Sequence, residues 1–119
     1  ELKMTWNEVG FLDESNCDFS DYYKDIGLYR AILVDKIVYV GKATELNNGG
    51  FRKRLRDYTR KSKSARNYPS GKLMNENSAD LVIEISKFER SEINIQEINY
   101  QEKELIKLIQ PEWNQLDVN

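Results

Sequence analysis

Two β-type runs near the start of the chain constrain its fold more than any other feature. Residues 28–34 and 37–41 are rich in β-branched and aromatic side chains, and only Asp35 and Lys36 separate them. Two such runs joined by a very short connection are typical of an antiparallel hairpin. We therefore predict that this hairpin is the framework on which the rest of the chain packs.

The register of the hairpin decides whether its two tyrosines, Tyr29 and Tyr39, lie on one face. A two-residue loop would pair Ile32 with Tyr39 and place the rings on opposite faces. A three-residue loop that begins at Val34, or a bulge, would pair Ala31 with Tyr39 and bring the rings together. The Asp-Lys sequence lacks the Asn-Gly or Gly-X character of two-residue primed turns. We therefore expect the second register, with both rings on one face.

An amphipathic helix is predicted after the hairpin. Phe51, Leu55 and Tyr58 recur at i, i+4 and i+7 within residues 51–61 and form an apolar stripe. Arg54 lies at the edge of this stripe, four residues before Tyr58, so the two side chains can meet over the sheet. The elements predicted next are a polar loop at 61–71 with a turn at Pro69-Ser70-Gly71, a short helical piece at 72–77, and a third strand at 81–86 that pairs with the hairpin.

The last predicted helix begins at residue 95 or 96 and ends at 110, ahead of Pro111. Steps of 100° place Glu102 between Ile98 and Ile106, in the middle of the inward face. A carboxylate in that position needs a cation, because burying it unpaired is costly. The helix alone leaves two interpretations open, which are a salt bridge to an arginine or lysine and a hard-metal ligand.

Charge is unevenly distributed along the chain, although the formal net charge is only -2. Residues 51–72 hold nine of the 18 lysines and arginines against one acid, whereas residues 1–25 hold seven acids. A basic surface of this kind suits a phosphate backbone. The residues predicted to bind nucleic acid are Arg52, Lys53, Arg56, Arg60, Lys61, Lys63, Arg66 and Lys72.

Several classes of chemistry and location are excluded or disfavoured by composition. The chain has no histidine, which rules out Ser-His-Asp and Cys-His catalysis and leaves Tyr, Lys, Glu and Asp for proton transfer. Its one cysteine, Cys17, cannot form an internal disulfide. With neither an apolar stretch of about 20 residues nor a basic-then-apolar leader, we expect a cytoplasmic protein that does not enter membranes.

The order of the motifs resembles that of the GIY-YIG nuclease superfamily, although Tyr29 and Tyr39 taken singly are typical of core tyrosines. Gly27-Leu28-Tyr29 resembles the first motif and Tyr39-Val40-Gly41 the second, with Leu28 and Val40 in place of isoleucine. The further residues that carry the resemblance are Arg54 as the catalytic arginine, Tyr58 where members have His or Tyr, Glu102 as the metal-binding glutamate, and Asn114 as the closing asparagine. The resemblance covers residues 26–114.

Two further features place the chain within the superfamily. Tyr58 instead of histidine, together with Lys42 after the second motif, is closer to the excision-repair incision subunit and some restriction enzymes than to the intron homing enzymes. The chain departs from the superfamily pattern in two respects, which are Leu28 in place of isoleucine in the first motif and a loop at residues 46–50 that is longer than in the shortest members. Neither departure removes a reactive group.

The resemblance implies an α+β fold, in which helices flank a small three-stranded antiparallel sheet. We expect residues 26–119 to form this domain, and residues 1–25 to pack on it as loop and short helix. The implied partner is DNA, duplex rather than single-stranded, bound by a monomer or weak homodimer. An inactive nucleic-acid-binding module on the same fold, and an interaction protein that uses the acidic N-terminal segment, are the alternatives.

The implied reaction is phosphodiester hydrolysis with one Mg²⁺ or Mn²⁺ held by Glu102. Arg54 would clamp the scissile phosphate. Tyr29 is the first candidate for the base, with Tyr39 positioning water or phosphate. Because a free phenol has a pKa near ~10, a tyrosinate base requires that Lys42, Arg54 or the metal lower it. Tyr58 and Asn114 would support the phosphate and the strand ends.

Overall fold

A four-stranded antiparallel sheet is the framework of the computed structural model, which describes residues 4–13, 22, 25–46, 50–59 and 68–117. The strands are β1 (Asn7–Phe11), β2 (Ile26–Leu33), β3 (Lys36–Ala43) and β4 (Val82–Phe88), and the helices are α1 (Gly50–Thr59), α2 (Pro69–Glu76), α3 (Glu92–Ile109) and α4 (Glu112–Leu116). The order in the sheet is β1-β4-β2-β3, so β1 and β3 are its edges. The α+β class is as predicted. Cys17, Arg60, Lys61, Lys63 and Arg66 lie outside the described residues.

The hairpin of β2 and β3 has the predicted register, in which Ala31 pairs with Tyr39. The next pair is Ile32 with Ile37, so Val38 is the extra residue of a bulge. The turn itself has two residues, Val34 and Asp35, with φ angles of 49° and 65°. Positive φ at both positions is the geometry of a type I′ turn. The bulge therefore shifts the register, and the three-residue loop is not used.

The prediction of three strands is wrong at one edge of the sheet. β1 pairs with β4 in the segment for which only loop and short helix were expected. This strand gives a weak sequence signal because its register shifts between Glu8 and Gly10, and Gly10 has a φ of 129°. Its side chains are also only partly buried, so apolar and polar residues do not alternate. Pairing with β4, rather than local pattern, makes it a strand.

Two helices begin at other residues than predicted, because a proline or a capping side chain sets the first turn. α2 begins at Pro69, where a turn was predicted, because proline is tolerated in the first turn of a helix. α3 begins at Glu92 because the Ser91 side chain accepts a hydrogen bond of 3.1 Å from the Asn94 amide. Pro111 ends α3 as predicted, but it is followed at once by α4, which was not predicted.

Two apolar layers cover the two faces of the sheet. On one face, α1 buries Phe51 and Leu55 against Tyr29, Ala31 and the other residues of the larger core. On the opposite face, Ile98 of α3 packs on Ile26 and Leu28. The helical stripe predicted for α1 is confirmed, and α1 and α3 therefore lie on opposite sides of the sheet. Within the described ranges, no helix is both long and apolar enough to cross a membrane.

Candidate active site

Three tyrosines from three different elements form one cluster on the α1 face of the sheet. The ring centroids of Tyr29 in β2 and Tyr39 in β3 are 6.2 Å apart, which confirms that they share a face. Tyr58 of α1 meets Tyr29 edge-on at 6.3 Å, and the two hydroxyl oxygens are 2.6 Å apart. Tyr29 is only 1% exposed and Tyr58 8%, whereas Tyr39 is partly exposed. Of the three hydroxyls, that of Tyr39 is the one a substrate can approach most easily.

The two motif glycines make room for this cluster and for the sheet beneath it. A Cβ at Gly41 would lie 2.4 Å from both Cζ and Oη of Tyr29, so the absent side chain leaves space for that ring. Gly27 has a φ of +149°, and a Cβ there would lie 2.1 Å from the Ser86 carbonyl oxygen. Neighbouring atoms therefore exclude a side chain at both positions, and at Gly27 the positive φ also favours glycine.

A cavity of about 370 Å³ opens beside the cluster between α1, α2 and α4. Its lining includes the predicted arginine and two of the predicted tyrosines. The lining residues are Tyr39, Arg54, Asp57, Tyr58, Tyr68, Ser70, Gly71 and Asp117. The Arg54 guanidinium thus shares a concave surface with the Tyr39 and Tyr58 phenols.

Ser70 and Asp117 extend the tyrosine cluster, and sequence reasoning missed both. The Tyr39 side chain interacts with those of Tyr58 and Ser70, which line the same cavity. The Ser70 hydroxyl donates to Asp117 Oδ2, and the Ser70 amide donates to Asp117 Oδ1 at 3.1 Å. Asp117 therefore caps the start of α2 as well as reaching the cluster. No local sequence pattern predicts this contact, because Ser70 and Asp117 are far apart in the chain.

The expected lowering of the tyrosine pKa values is not found. Burial raises the pKa of Tyr29 well above its usual value, and the neighbouring Tyr58 and Tyr39 add to this effect. Arg54 acts in the opposite direction, but it is the weakest of these influences on Tyr29. Burial likewise raises the pKa of Tyr39 and of Tyr58. These shifts favour the neutral form of all three phenols, so the surrounding side chains do not supply the lowering that a tyrosinate base requires.

Glu102 is paired with Lys42 on the other face of the hairpin. Lys42 Nζ lies 3.6 Å from Glu102 Oε1 and donates to Asn99 Oδ1 at 2.6 Å. The Glu102 side chain is 17% exposed, and burial raises its pKa although Lys42 and Arg54 act to lower it. Both interpretations of this carboxylate are thus compatible with its surroundings, because it has a lysine partner and an accessible oxygen edge.

The predicted residues meet around one edge of the sheet rather than in a single cavity. Lys42 pairs with Leu28, whose side chain packs under α3, whereas Gly41 pairs with Tyr29 on the α1 face. Glu102 accordingly does not line the tyrosine cavity. Because β3 is an edge strand, Arg54 interacts electrostatically with Glu102 as well as with Tyr29. Arg54 is the link between the two groups.

Asn114 supports the edge strand directly. Its Oδ1 accepts a hydrogen bond from the Val40 amide and its Nδ2 donates to the Val40 carbonyl, each at 2.8 Å. Val40 lies between Tyr39 and Gly41, so this pair of bonds holds the second motif in place. The position agrees with the predicted supporting role at a strand end.

Four of the predicted basic residues can be placed. Arg52, Lys53 and Arg56 lie on α1 and Lys72 on α2, and Lys53 and Lys72 are exposed. Lys53 Nζ also lies 3.1 Å from Glu45 Oε2. A pair this exposed is easily exchanged for a phosphate contact, because its net stability is small.

The donor set around Glu102 suits only a lightly coordinated hard cation. Among the residues that the structure describes, no three or more His, Cys, Asp or Glu side chains form a group that could hold a metal. A single carboxylate does fit Mg²⁺ or Mn²⁺, because such ions keep several waters and take further oxygens from substrate phosphates. A closed structural zinc site does not fit.

The chain matches no protein-family model, and neither a curated protein nor a solved structure shows significant similarity to it. The functional assignment therefore depends on the motif order and on the geometry of the site.

Proposed function

We propose that the chain is a divalent-metal-dependent endonuclease of the GIY-YIG type, which hydrolyses phosphodiester bonds in DNA. The observation that carries this proposal is the convergence of Tyr39, Tyr58 and Arg54 on one cavity, with Tyr29 beneath them. These residues come from three elements, and their order along the chain matches the motif order that led to the resemblance. We also place the activity in the cytoplasm.

Arg54 is the residue that binds the scissile phosphate. Charge on the non-bridging oxygens grows as the transition state forms, and a planar guanidinium can donate two parallel hydrogen bonds to them. Burial acts to lower the pKa of Arg54, but its neighbours Tyr29, Tyr58, Glu45 and Tyr39 together raise it above the ordinary value. An arginine guanidinium is in any case charged at neutral pH.

Glu102 would hold Mg²⁺ or Mn²⁺, and the ion would neutralise developing charge on the phosphate. Lys42 forms an ion pair with Glu102 in this structure. When the metal ion binds, the Lys42 ammonium would turn toward the phosphate or share the Glu102 carboxylate with the ion. In the present arrangement Lys42 also donates to Asn99 Oδ1 at 2.6 Å.

Tyr39 is the better candidate for orienting water, in place of Tyr29. Tyr39 lines the cavity, whereas Tyr29 is 1% exposed and its hydroxyl is paired with that of Tyr58. Tyr29 and Tyr58 then act by holding Tyr39 and Arg54 in position. Neutral phenols can do this at neutral pH without any ionisation.

Cleavage of plasmid DNA with Mg²⁺ tests the proposal. Glu102→Gln should lower the cleavage rate by at least about 100-fold, because an amide binds a hard cation poorly. Glu104→Gln, a more exposed glutamate on the same helix, is the matched control and should keep the wild-type rate. Arg54→Lys should also lose most of the activity, because lysine lacks the planar fork. Mg²⁺-dependent cleavage at the wild-type rate by Glu102→Gln would contradict the assignment.

One observation favours a second candidate, an inactive nucleic-acid-binding module. Glu102 already has Lys42 as its cation at 3.6 Å, as in a structural ion pair. A wild-type chain that binds duplex DNA but cleaves no DNA with Mg²⁺ or Mn²⁺ would support this candidate over the enzyme.

A further inference from the structure

The hydroxyl groups of the tyrosine cluster share one cavity with Ser70 and with the Asp117 carboxylate. The Tyr29 and Tyr58 hydroxyls are 2.6 Å apart, and Tyr58 and Tyr39 both line the cavity. Tyr39 interacts with the side chains of Ser70 and Asp117, and the Ser70 hydroxyl donates to Asp117 Oδ2. We propose that Tyr39, Ser70 and Asp117 form a proton relay that removes the proton of the attacking water. The relay serves the reaction proposed above and rests on that function.

The position of the relay suits this role. Tyr39, Ser70 and Asp117 all line the cavity that Arg54 also lines. A phosphate bound by the Arg54 guanidinium therefore lies beside the Tyr39 end of the relay. The Asp117 end lies at the start of α2, where its carboxylate is held by the Ser70 amide at 3.1 Å.

The relay explains how a neutral tyrosine can accept a proton from water. A buried phenol with a raised pKa cannot wait as a tyrosinate at neutral pH, so Tyr39 can accept a proton only while it releases its own. The Ser70 hydroxyl can likewise accept that proton only while it releases its own. Asp117 is the first group in this relay with a charge that an incoming proton neutralises. The other charged groups that line the cavity are Arg54 and Asp57.

The proposed step balances without an oxidant or a further reactant. The water proton moves to Tyr39 Oη, the Tyr39 proton moves to Ser70 Oγ, and the Ser70 proton moves to Asp117 Oδ2. The water oxygen uses the electron pair of its broken O–H bond to form the new bond to phosphorus. The bond between phosphorus and the leaving oxygen breaks with its electron pair, and that oxygen takes a proton from solvent. Asp117 ends as a neutral acid, which solvent later deprotonates.

Asp117 also has a structural role, because it caps the start of α2. The variants therefore have to distinguish this role from proton transfer. Ser70→Ala removes the hydroxyl from the relay but keeps the amide that donates to Asp117 Oδ1. Asp117→Asn keeps an oxygen for that amide but cannot accept a proton. Asp80→Asn is the control, because Asp80 is an exposed carboxylate that does not line the cavity.

Single-turnover cleavage of duplex DNA with Mg²⁺ tests the relay. Ser70→Ala and Asp117→Asn should each slow the chemical step by about 100-fold, the lower end of the range for general acid–base catalysis. The double variant should be no slower than either single variant, because all three interrupt the same relay. Asp80→Asn should keep the wild-type rate, and circular dichroism should show that Ser70→Ala and Asp117→Asn are folded at the assay temperature.

Solvent deuterium supplies a readout that a structural role would not change. A plot of the wild-type rate against the deuterium fraction of the solvent should be curved, because several protons move in one step. The solvent isotope effect should be smaller in Ser70→Ala. A wild type that cleaves while Ser70→Ala cleaves at the same rate would overturn the relay alone. Additive losses in the double variant would also overturn it. A wild type that cleaves no DNA would overturn the nuclease function and the relay together.

Discussion

Gly41 shows how a single missing side chain shapes the site. The Tyr29 ring lies directly over it, and the room that Gly41 leaves is occupied by the ring and hydroxyl of that residue. The motif glycine and the motif tyrosine are therefore packing partners across β2 and β3. Their association in the sequence pattern has a steric cause in this fold.

Gly41→Ala should destabilise the fold by about 1–3 kcal/mol, because the new methyl group would overlap Tyr29 and force it or the strand to move. Chemical denaturation measures the loss. A double variant that also carries Tyr29→Ala should lose less than the sum of the two single variants, since the clash is then gone. Additive losses would show that the clash is not the cause.

The buried phenols also predict how stability depends on pH. The folded-state pKa values of Tyr29 and Tyr58 are raised, chiefly by burial, above the unfolded value near ~10. Above that pH the unfolded chain binds fewer protons than the folded chain, so the free energy of unfolding should fall as pH rises. Below pH ~10 the two phenols are protonated in both states, so they do not make the free energy of unfolding depend on pH. Urea denaturation at a series of alkaline pH values measures the decline.

Tyr29→Phe is the control for this pH dependence. The variant lacks one buried phenol, so its stability should fall less steeply at alkaline pH than that of the wild type. An equal slope in the two proteins would mean that Tyr29 does not carry the effect.

At the scale of elements, the short helix α4 stabilises the edge strand that carries the second motif. Asn114 makes two hydrogen bonds of 2.8 Å to Val40, on the side of β3 that has no neighbouring strand. An ion pair of 3.8 Å between Lys36 and Glu112 joins the same two elements. The Val40 amide and carbonyl would otherwise be left to solvent.

Asn114→Ala should cost about 1–3 kcal/mol, because it leaves the Val40 amide and carbonyl without their partners. Hydrogen exchange at the Val40 amide should become faster, and this measurement locates the effect. Gln115→Ala is the control, because the side chain of this exposed neighbour on α4 donates to the Gln110 carbonyl at 3.2 Å. Unchanged exchange at Val40 in Asn114→Ala would contradict the bracing role.

At the scale of the whole molecule, the site is divided by the sheet. The tyrosine cavity lies on the α1 face and the pair of Lys42 and Glu102 on the α3 face, with the edge strand β3 between them. Exposed Lys53 and Lys72 lie on α1 and α2, the helices that border the cavity. A DNA strand held by these lysines would reach Arg54 from the side where α1 and α2 meet.

Lys72→Ala should weaken binding of duplex DNA about equally for all sequences, because phosphate contacts carry no base information. The slope of log affinity against log salt concentration should become smaller by about one. Fluorescence anisotropy with two unrelated duplexes measures both quantities. Lys107→Ala, an 80% exposed lysine on α3, is the control and should leave the slope unchanged. A strong change in sequence preference would contradict the prediction.

Much of the framework was predictable because it depends on local patterns. The hairpin follows from two β-type runs, the buried face of α1 from the spacing of Phe51, Leu55 and Tyr58, and the inward placement of Glu102 from its helical phase. The shared face of Tyr29 and Tyr39 was also predicted, but a bulge at Val38 produces it rather than a longer turn. Each of these features is set by residues close together in the chain.

The remaining features were decided by the tertiary structure. β1 is a strand because β4 offers it a partner, and Asp117 joins the tyrosines because α4 brings it to the start of α2. The pKa of Tyr29 is raised because the assembled core removes water from it. The sequence by itself thus determined which reactive groups are present and which way each points within its own element. Only the packing of distant elements decided their distances and their protonation, because burial and long-range contacts exist only in the folded chain.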